Sequence, residues 1–412
     1  MISELAESPH HGTNLTVRIL YVNQVGSTVG GIEAHIRDCA TGLSQRGYTL
    51  GLLSGDPHLE TALARPFSTT FVGRPFSPAV LKQAINEFQP DLVIVHKAER
   101  LFELELESVV PPVVVMIHDH DWICIRRHRY LPITGKICER QASISACFSC
   151  GLAVERKRGT TLGIRYRPVW HRIRDARTLH AVSGVWVASD YMKRELSRHG
   201  IDSNHITTIP LGIPDLPETY TKAAMGSIAY IGQVIRTKGL DLLLRAVAQE
   251  PSIQRLDIVG DGNQRNEFEA LATSLGVDTK TVWHGKQTPN DVARIIAGAA
   301  VVVMPHRWPE PFGLVGLEAM RAGRPVITTD AGGVRTWLDP GITGLLTKPL
   351  DVPGLGRALR ILLTQTERRE TMGQAARSRF IRYFTMERFL ERLEEAIKKT
   401  TSHPKRHTCI SQ

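Results

Sequence analysis

Two glutamates, Glu310 and Glu318, stand eight positions apart around the expected start of a helix, in the segment PHRWPEPFGLVGLEAMRAGRPVITTD at 305–330. A helix N-terminus carries about half a positive charge and free N–H donors, so it favours a phosphate. Each carboxylate can accept a hydrogen bond from a hydroxyl. The segment therefore predicts a site for a molecule with phosphate and hydroxyl groups, such as a nucleotide-sugar. The expected phosphate donors are the backbone amides of Gly313, Leu314 and Val315.

Other candidate residues follow apolar runs that are typical of buried strands. Lys238, with Arg236 nearby, follows the strand expected at 227–231, where a cation could neutralise a diphosphate. Gly285 and Lys286 follow the strand expected at 281–284, where the backbone could contact a base edge. Ligands of parallel α/β sheets bind at the carboxyl ends of strands. The simpler alternatives stay open: an exposed lysine, glutamates that only cap a helix, and an ordinary turn.

The first half of the chain begins with a strand, a glycine-rich loop and an amphipathic helix, which is typical of a phosphate-binding α/β unit. Gly30 and Gly31 lie in that loop, but the spacing does not match G-x-G-x-x-G, so a dinucleotide site is weakly supported. His118 follows an apolar run and is expected at the end of a strand. We expect strands at 16–23, 49–54, 92–96, 113–117, 179–183 and 205–209, and helices up to Gly47, at 78–88 and at 185–198.

The second half repeats the alternation of strands and helices. This alternation predicts parallel sheets covered on both faces. A chain of 412 residues is long enough for two or three domains. A proline-rich stretch at about 211–224 is the expected linker. We expect strands at 227–231, 255–259, 281–284, 299–304 and 325–329, and helices through 250, through 275, at 289–297, 313–322, 352–364, 367–382 and 386–398.

Four of the six cysteines lie close together in the sequence, separated by 13, 8 and 2 residues: Cys124, Cys138, Cys147 and Cys150. The spacing is compatible with a tetrahedral thiolate site for structural zinc or an iron–sulfur cluster, although it matches no zinc signature tightly. Unligated thiols and a redox pair remain as alternatives.

Charge and hydropathy limit the possible partners. The net charge is +10 and the pI is about 9.4, which favours an acidic partner. No apolar run reaches the ~20 residues of a membrane span, and the first residues show no signal-peptide pattern. We therefore expect a cytoplasmic protein. Nucleic acid is an unlikely partner, because only the net charge supports it.

Basic residues are concentrated in one run at 155–177. This run is either a solvated face or a surface for acidic lipid head groups. Its basic residues are Arg156, Lys157, Arg158, Arg165, Arg167, Arg172, Arg174 and Arg177.

Over about residues 16–398 the chain resembles the family 4 glycosyltransferases, a retaining group with the GT-B fold. The E-x7-E motif, here EPFGLVGLE from Glu310 to Glu318, is the specific part. GQVIRTKG, IVGDG, VWHG, PVITTDAGG and GITGLL occur at the family's spacing.

The resemblance implies an α/β fold with two Rossmann-like domains that face each other across a cleft, and C-terminal helices that pack back toward the first domain. The implied parts are an acceptor-side domain at 15–210 with a Cys-rich insert at about 122–151, a donor domain at 225–380 and a C-terminal helix at 381–400. Residues 1–14 and 401–412 are expected to be disordered.

By the same resemblance, Glu318 would bind ribose hydroxyls and Glu310 hydroxyls of the transferred sugar. His118 matches a histidine beside the reacting sugar, and Phe312 falls among the donor-binding positions. Lys238 and the helix N-terminus would hold the diphosphate, approached by Gly30 and Gly31 from the other domain. The chain departs from the family pattern at Leu211, Gln233 and Arg335. Gln233 removes an expected phosphate cation, and the geometry of the loop decides whether Arg236 replaces it.

The implied reaction is transfer of a sugar from a nucleoside-diphosphate sugar to a glycan or lipid-linked acceptor, with retention and without a required cofactor. It would serve cell-surface polysaccharide or glycolipid synthesis, with the protein peripheral on the inner face of the membrane. The alternatives are a nucleotide-sugar epimerase or hydrolase on this fold, and a non-catalytic nucleotide-sugar-binding protein.

The sequence Asp119-His120-Asp121 has the form of a D-x-D metal motif, but by the resemblance it lies in the wrong domain to bind metal at the donor diphosphate.

Overall fold

The structure is a computed structural model that describes residues 16–27, 30–73, 76–131, 134–148, 150, 154–156, 164–166, 169–216 and 223–402. The ends that the sequence predicts to be disordered lie outside these residues, except that Thr401 and Ser402 complete the last helix.

The first part of the chain forms a seven-stranded parallel sheet with the order β3-β2-β1-β4-β5-β8-β9, and β6 and β7 pair antiparallel apart from it. Strand β5 is buried at every position, as expected for a parallel strand covered on both faces. The strands are β1 (Arg18–Asn23), β2 (Thr49–Ser54), β3 (Thr69–Val72), β4 (Leu92–Lys97), β5 (Val113–Ile117), β6 (Val154–Arg156), β7 (Ile164–Tyr166), β8 (Gly184–Val187) and β9 (Ile206–Thr208). The helices are α1 (Gly31–Gln45), α2 (Thr61–Ala64), α3 (Pro78–Phe88), α4 (Ile144–Phe148), α5 (Val169–Ala181) and α6 (Asp190–Arg198).

The second part forms a six-stranded parallel sheet with the order β12-β11-β10-β13-β14-β15. Its strands are β10 (Ser227–Ile231), β11 (Arg255–Val259), β12 (Thr281–Gly285), β13 (Val301–Met304), β14 (Val326–Thr329) and β15 (Gly344–Thr347). Its helices are α7 (Leu240–Gln249), α8 (Arg265–Ser274), α9 (Pro289–Gly298), α10 (Leu314–Arg321), α11 (Val352–Thr364), α12 (Thr366–Tyr383) and α13 (Met386–Ser402). The two sheets confirm the predicted α/β fold with two domains.

One stretch of the first domain differs from the sequence prediction. The strand predicted at 179–183 is wrong, because α5 continues to Ala181. The helix predicted at 185–198 is also wrong in its first part: Gly184–Val187 is a buried strand, and the helix begins only after Ser189. Short apolar runs do not distinguish a strand from a helix by periodicity. The missed signal was Ser189, whose side chain accepts from the Met192 N–H and caps α6. Elsewhere, the predictions omitted four strands, β3, β6, β7 and β15, and two short helices, α2 and α4.

The last helix, α13, leaves the second domain and packs on α1 of the first, which confirms the predicted return of the C-terminal helices. Phe389 is fully buried there, with its ring 4.8 Å from that of His35. At the edge of this contact Arg46 forms ion pairs with Glu387 and, at 2.6 Å, with Glu394. The apolar core is continuous from one domain to the other through these residues.

Phe389→Ala should lower the free energy of unfolding by about 3–5 kcal/mol, because a fully buried ring leaves a cavity at the contact between domains. Ile381→Ala is the control, since that side chain is 49% exposed. Denaturant unfolding of both variants measures the difference, and equal stability losses would contradict the packing of α13 on the first domain.

Candidate active site

Glu310 is the centre of a polar group between β13 and α10. Its carboxylate lies 2.8 Å from the ammonium of Lys238 and accepts a hydrogen bond of 3.0 Å from Trp308 Nε1. The Lys238 ammonium lies 4.5 Å from the centroid of the Trp308 ring, so the aromatic face adds a cation–π contact. The structure therefore brings together two of the predicted catalytic residues and adds Trp308, which the sequence prediction missed.

The surroundings keep Glu310 ionised although only 8% of the residue is exposed. Burial alone would raise the pKa of this carboxyl group. The charge of Lys238, with the hydrogen bonds from Lys238 and Trp308, outweighs that effect and holds the pKa of Glu310 below its ordinary value. The site thus presents a desolvated carboxylate that can accept hydrogen bonds from ligand hydroxyls.

Two loops at the carboxyl ends of β10 and β13 position this group. Lys238 ends a short 3-10 turn that follows β10, and the Arg307 N–H donates to the Thr237 carbonyl at 2.8 Å. Arg307 is itself buried and paired with Asp241 at the start of α7. This hydrogen bond and the ion pair hold the two loops in register.

The N-terminus of α10 lies opposite that of α1. Gly313, with φ of +93°, precedes α10 and gives it no side-chain cap, so its first N–H groups can meet a ligand. A side chain on Gly31 would stand 3.7 Å from Leu314, which shows how closely the two helix ends approach. The carboxylate of Glu33 lies against Gly30, however, so the start of α1 already faces a negative charge. The first turn of α10 holds no acidic residue, so of these two helix ends its start is the better suited to an anion.

Glu318 lies one turn into α10 and is half-buried. Burial raises the pKa of its carboxyl group, and the charge of Arg321 opposes the rise. Phe312, by contrast, is a core residue at 3% exposure, and its carbonyl accepts from Trp337 Nε1 at 2.6 Å. Leu314 and Val315 pack partly into the same core, so they can offer a ligand their backbone amides.

His118 stands at the end of β5 in the first domain. Its Nε2 lies 3.0 Å from Nδ1 of His96, and the two rings stack with centroids 5.3 Å apart. Burial lowers the pKa of His118 to about 4. The imidazole is therefore neutral at neutral pH and can serve as a hydrogen-bonding group.

Arg236, Gly285 and Lys286 lie at or after the ends of strands of the second sheet, and Arg236 begins the 3-10 turn that Lys238 ends. Arg236 is exposed and lines a surface depression with Arg245 and Glu267. Gly285 ends β12, the edge strand, and Lys286 is exposed directly after it. Their roles toward a donor stay predictions.

The two carboxylates of the D-x-D sequence form ion pairs within the first domain. The Lys97 ammonium lies 3.4 Å from Asp119 and 3.8 Å from Asp121, and Arg127 lies 3.3 Å from Asp121. Two cations therefore already neutralise these carboxylates.

Two of the residues that depart from the family pattern lie in the second domain. Gln233 is exposed, and Arg335 pairs with Asp330 at 2.6 Å.

The four clustered cysteines line one small cavity together with apolar side chains, including Ile123 and Ala146. Burial raises the pKa of the Cys147 and Cys150 thiols. The ligand type fits zinc or an iron–sulfur cluster, but among the described residues no three metal-ligating side chains are placed to hold one ion. The structure gathers the predicted thiols without closing a coordination sphere around them.

Comparison with known proteins adds to this geometry. The family model described as Glycosyl transferases group 1 matches residues 224–379, and the model described as Glycosyltransferase Family 4 matches residues 29–215. The chain belongs to the family 4 glycosyltransferases. The first of these matches covers the second sheet and contains the E-x7-E segment, and the other covers the first sheet except β1.

Curated relatives are named D-inositol 3-phosphate glycosyltransferase. The protein of Corynebacterium kroppenstedtii is 35% identical over 42% of this chain and 41% of its own length. That of Mycobacterium sp. (strain KMS) is 23% identical over 90% of this chain and 88% of its own length. The match to the first thus spans less than half of that relative.

Solved structures share the fold. The Anabaena protein HepE in complex with UDP superposes with a TM-score of 0.72 at 18% identity, over 93% of this chain and 100% of that chain. Sucrose-phosphate synthase from Thermosynechococcus elongatus gives 0.71 at 19% identity, over 94% and 99%. These similarities confirm the GT-B architecture.

The predicted metal site in the cysteine cavity would give about one equivalent of zinc, or an iron–sulfur chromophore, per chain of purified protein. Cys147→Ser and Cys150→Ser should lose it, whereas Cys39→Ser, at a buried thiol on α1, should retain it. Elemental analysis measures the content. Metal-free protein with four titratable thiols in the cluster would contradict this prediction.

Proposed function

We propose that this glycosyltransferase moves a sugar from a nucleoside-diphosphate sugar to a glycan or lipid-linked acceptor, with retention of configuration. The observation that carries the proposal is the ionised, desolvated Glu310 beside Lys238 and the uncapped start of α10. A diphosphate needs cations and N–H donors, and a sugar needs hydroxyl acceptors. Both kinds of group stand at one place.

The residues divide the work by their chemistry. Lys238 and the amides at Gly313–Val315 would stabilise the negative charge that develops on the leaving diphosphate. Glu310 would hold hydroxyls of the sugar, and Glu318 those of the ribose. Neutral His118, across the cleft, would donate a hydrogen bond to the sugar or accept one from it.

Retention would follow from attack on the same face from which the diphosphate leaves. The bond from the anomeric carbon to the diphosphate oxygen breaks as the bond to the acceptor oxygen forms. The leaving phosphate takes the acceptor's proton, so Glu310 need not act as a nucleophile. Closure of the two domains would exclude water from this step.

A lipid-linked acceptor agrees with basic residues on the first domain, but most of the run at 155–177 lies outside the residues whose side chains are described. Within the described part, Arg172 turns inward to Asp175 at 3.1 Å, and Arg174 lies over the Phe102 ring at 5.4 Å. In the described part of the chain, no helix has the length and hydropathy to cross a membrane. Acceptors tested with this protein should include inositol phosphates, because the names of the curated relatives contain D-inositol 3-phosphate.

The donor should stabilise the protein against heat in a screen of UDP-, GDP- and ADP-sugars. With the donor so identified, Glu310→Gln should lower kcat/KM roughly tenfold to a hundredfold, since hydrogen bonds to a charged group are lost. Lys238→Ala should weaken binding of the nucleoside diphosphate by a similar factor.

The matched controls are Glu269→Gln, in an ion pair on α8, and Lys348→Ala, which is exposed. Undiminished turnover by Glu310→Gln would remove its role. Release of free sugar or an epimer at the same rate without any acceptor would favour the hydrolase or epimerase alternative.

Association with membranes should depend on charge. The protein should sediment with vesicles that contain anionic lipid, and about 0.5 M salt should release it, because exposed charges are screened. The triple variant Arg156→Gln, Lys157→Gln, Arg158→Gln should bind less, whereas Lys348→Ala should bind as the wild type does. Binding that salt does not change, or none to anionic vesicles, would count against a membrane-bound acceptor.

A further inference from the structure

Two side chains of the first domain reach across the cleft to the backbone on either side of Glu310. The imidazole Nε2 of His120 donates to the Pro309 carbonyl at 2.8 Å. The hydroxyl of Ser189 donates to the Pro311 carbonyl at 2.6 Å. Both residues are fully buried, so neither hydrogen bond is exchanged with bulk water.

The prolines explain why these contacts take this form. A proline has no N–H, so Pro309 and Pro311 offer the opposite domain only acceptors. Successive carbonyls of an extended chain point to opposite sides. The Glu310 carbonyl accordingly turns toward its own domain, where it accepts from the Gly333 N–H at 2.6 Å.

The glycines on that side make the pairing possible. Gly332 forms a parallel bridge with Glu310 and has φ of +87°, and a Cβ there would overlap the Glu310 carbonyl oxygen. A Cβ on Gly333 would stand 2.6 Å from Ser189 Oγ. Larger residues would push the loop away from both of its supports.

The two donors are themselves well fixed. His120 follows β5 and Ser189 follows β8, which are neighbours in the first sheet. Burial lowers the pKa of His120, so the ring is neutral at neutral pH. Because a carbonyl can only accept, the single ring proton must be on Nε2. Ser189 also accepts from the Met192 N–H as the cap of α6, which fixes its rotamer.

We propose that His120 and Ser189 are positioning residues that hold the Glu310 loop from the acceptor-side domain. The carboxylate then reaches its working position only while the two domains are closed on each other. This inference deepens the proposed function and rests on it. A displacement of about 1 Å at a substrate-positioning group is enough to slow a reaction severely, so control of the loop gives the first domain control of the chemistry.

The test compares transfer by variants that lose one of these hydrogen bonds. Ser189→Ala and His120→Ala should each lower kcat/KM for the sugar donor about tenfold, which corresponds to the loss of one net hydrogen bond. The affinity for the nucleoside diphosphate alone should not change, since Lys238 and the start of α10 are intact. His120→Gln keeps an N–H donor at a similar reach and should recover part of the loss.

Matched controls separate positioning from stability. Thr288→Ala also removes a helix cap, that of α9, and His205→Ala removes a histidine bond of 3.1 Å to a carbonyl of its own domain. Both controls should lose stability while kcat/KM stays within about twofold of wild type. If an alanine variant does not fold, Ser189→Cys keeps the side-chain size with a weaker donor and should show an intermediate loss.

The outcomes distinguish the inference from the proposed function. If the wild type transfers sugar and Ser189→Ala behaves like Thr288→Ala, the positioning role is wrong. Equal losses of diphosphate affinity and of kcat/KM would also overturn it, because they would indicate general damage. A wild type that transfers from no nucleoside-diphosphate sugar would instead contradict the proposed function.

Discussion

A carboxylate that is almost removed from water stays charged only if its surroundings supply charge and hydrogen bonds, and this constraint organises the site around Glu310. Lys238 supplies the charge, and Trp308 supplies a second donor. Breaking such a buried pair costs far more than the pair gains over apolar packing. The loops after β10 and β13 must therefore stay together, and the Arg307–Asp241 ion pair holds them so.

The same constraint extends to the backbone. Three successive carbonyls, those of Pro309, Glu310 and Pro311, are bound by donors from two domains in alternation. The loop that carries Glu310 is therefore held by the interface between the domains as much as by its own sheet. Packing of α13 on α1 adds an apolar contact between the same two domains, so the fold holds the cleft closed at two separate places.

The sequence was informative where chemistry is local. The glutamates eight positions apart, the glycine before the helix and the apolar runs predicted α10, β13 and β14 close to their observed bounds. It failed where short apolar runs allow either structure, as at 179–187. It could not show that Lys238 pairs directly with Glu310, 72 positions away. The contacts of His120 and Ser189, 189 and 122 positions from their partners, depend on how two domains meet, and no local pattern encodes that.

In the proposed function, Glu310 recognises the sugar while Lys238 and α10 recognise the diphosphate. Calorimetric titration of a nucleoside diphosphate and of its sugar conjugate tests this directly, in the wild type and in Glu310→Gln. We expect the substitution to leave the affinity for the diphosphate unchanged and to remove the additional affinity that the sugar contributes. If both ligands lose affinity equally, or if the sugar's contribution survives, Glu310 does not hold the sugar.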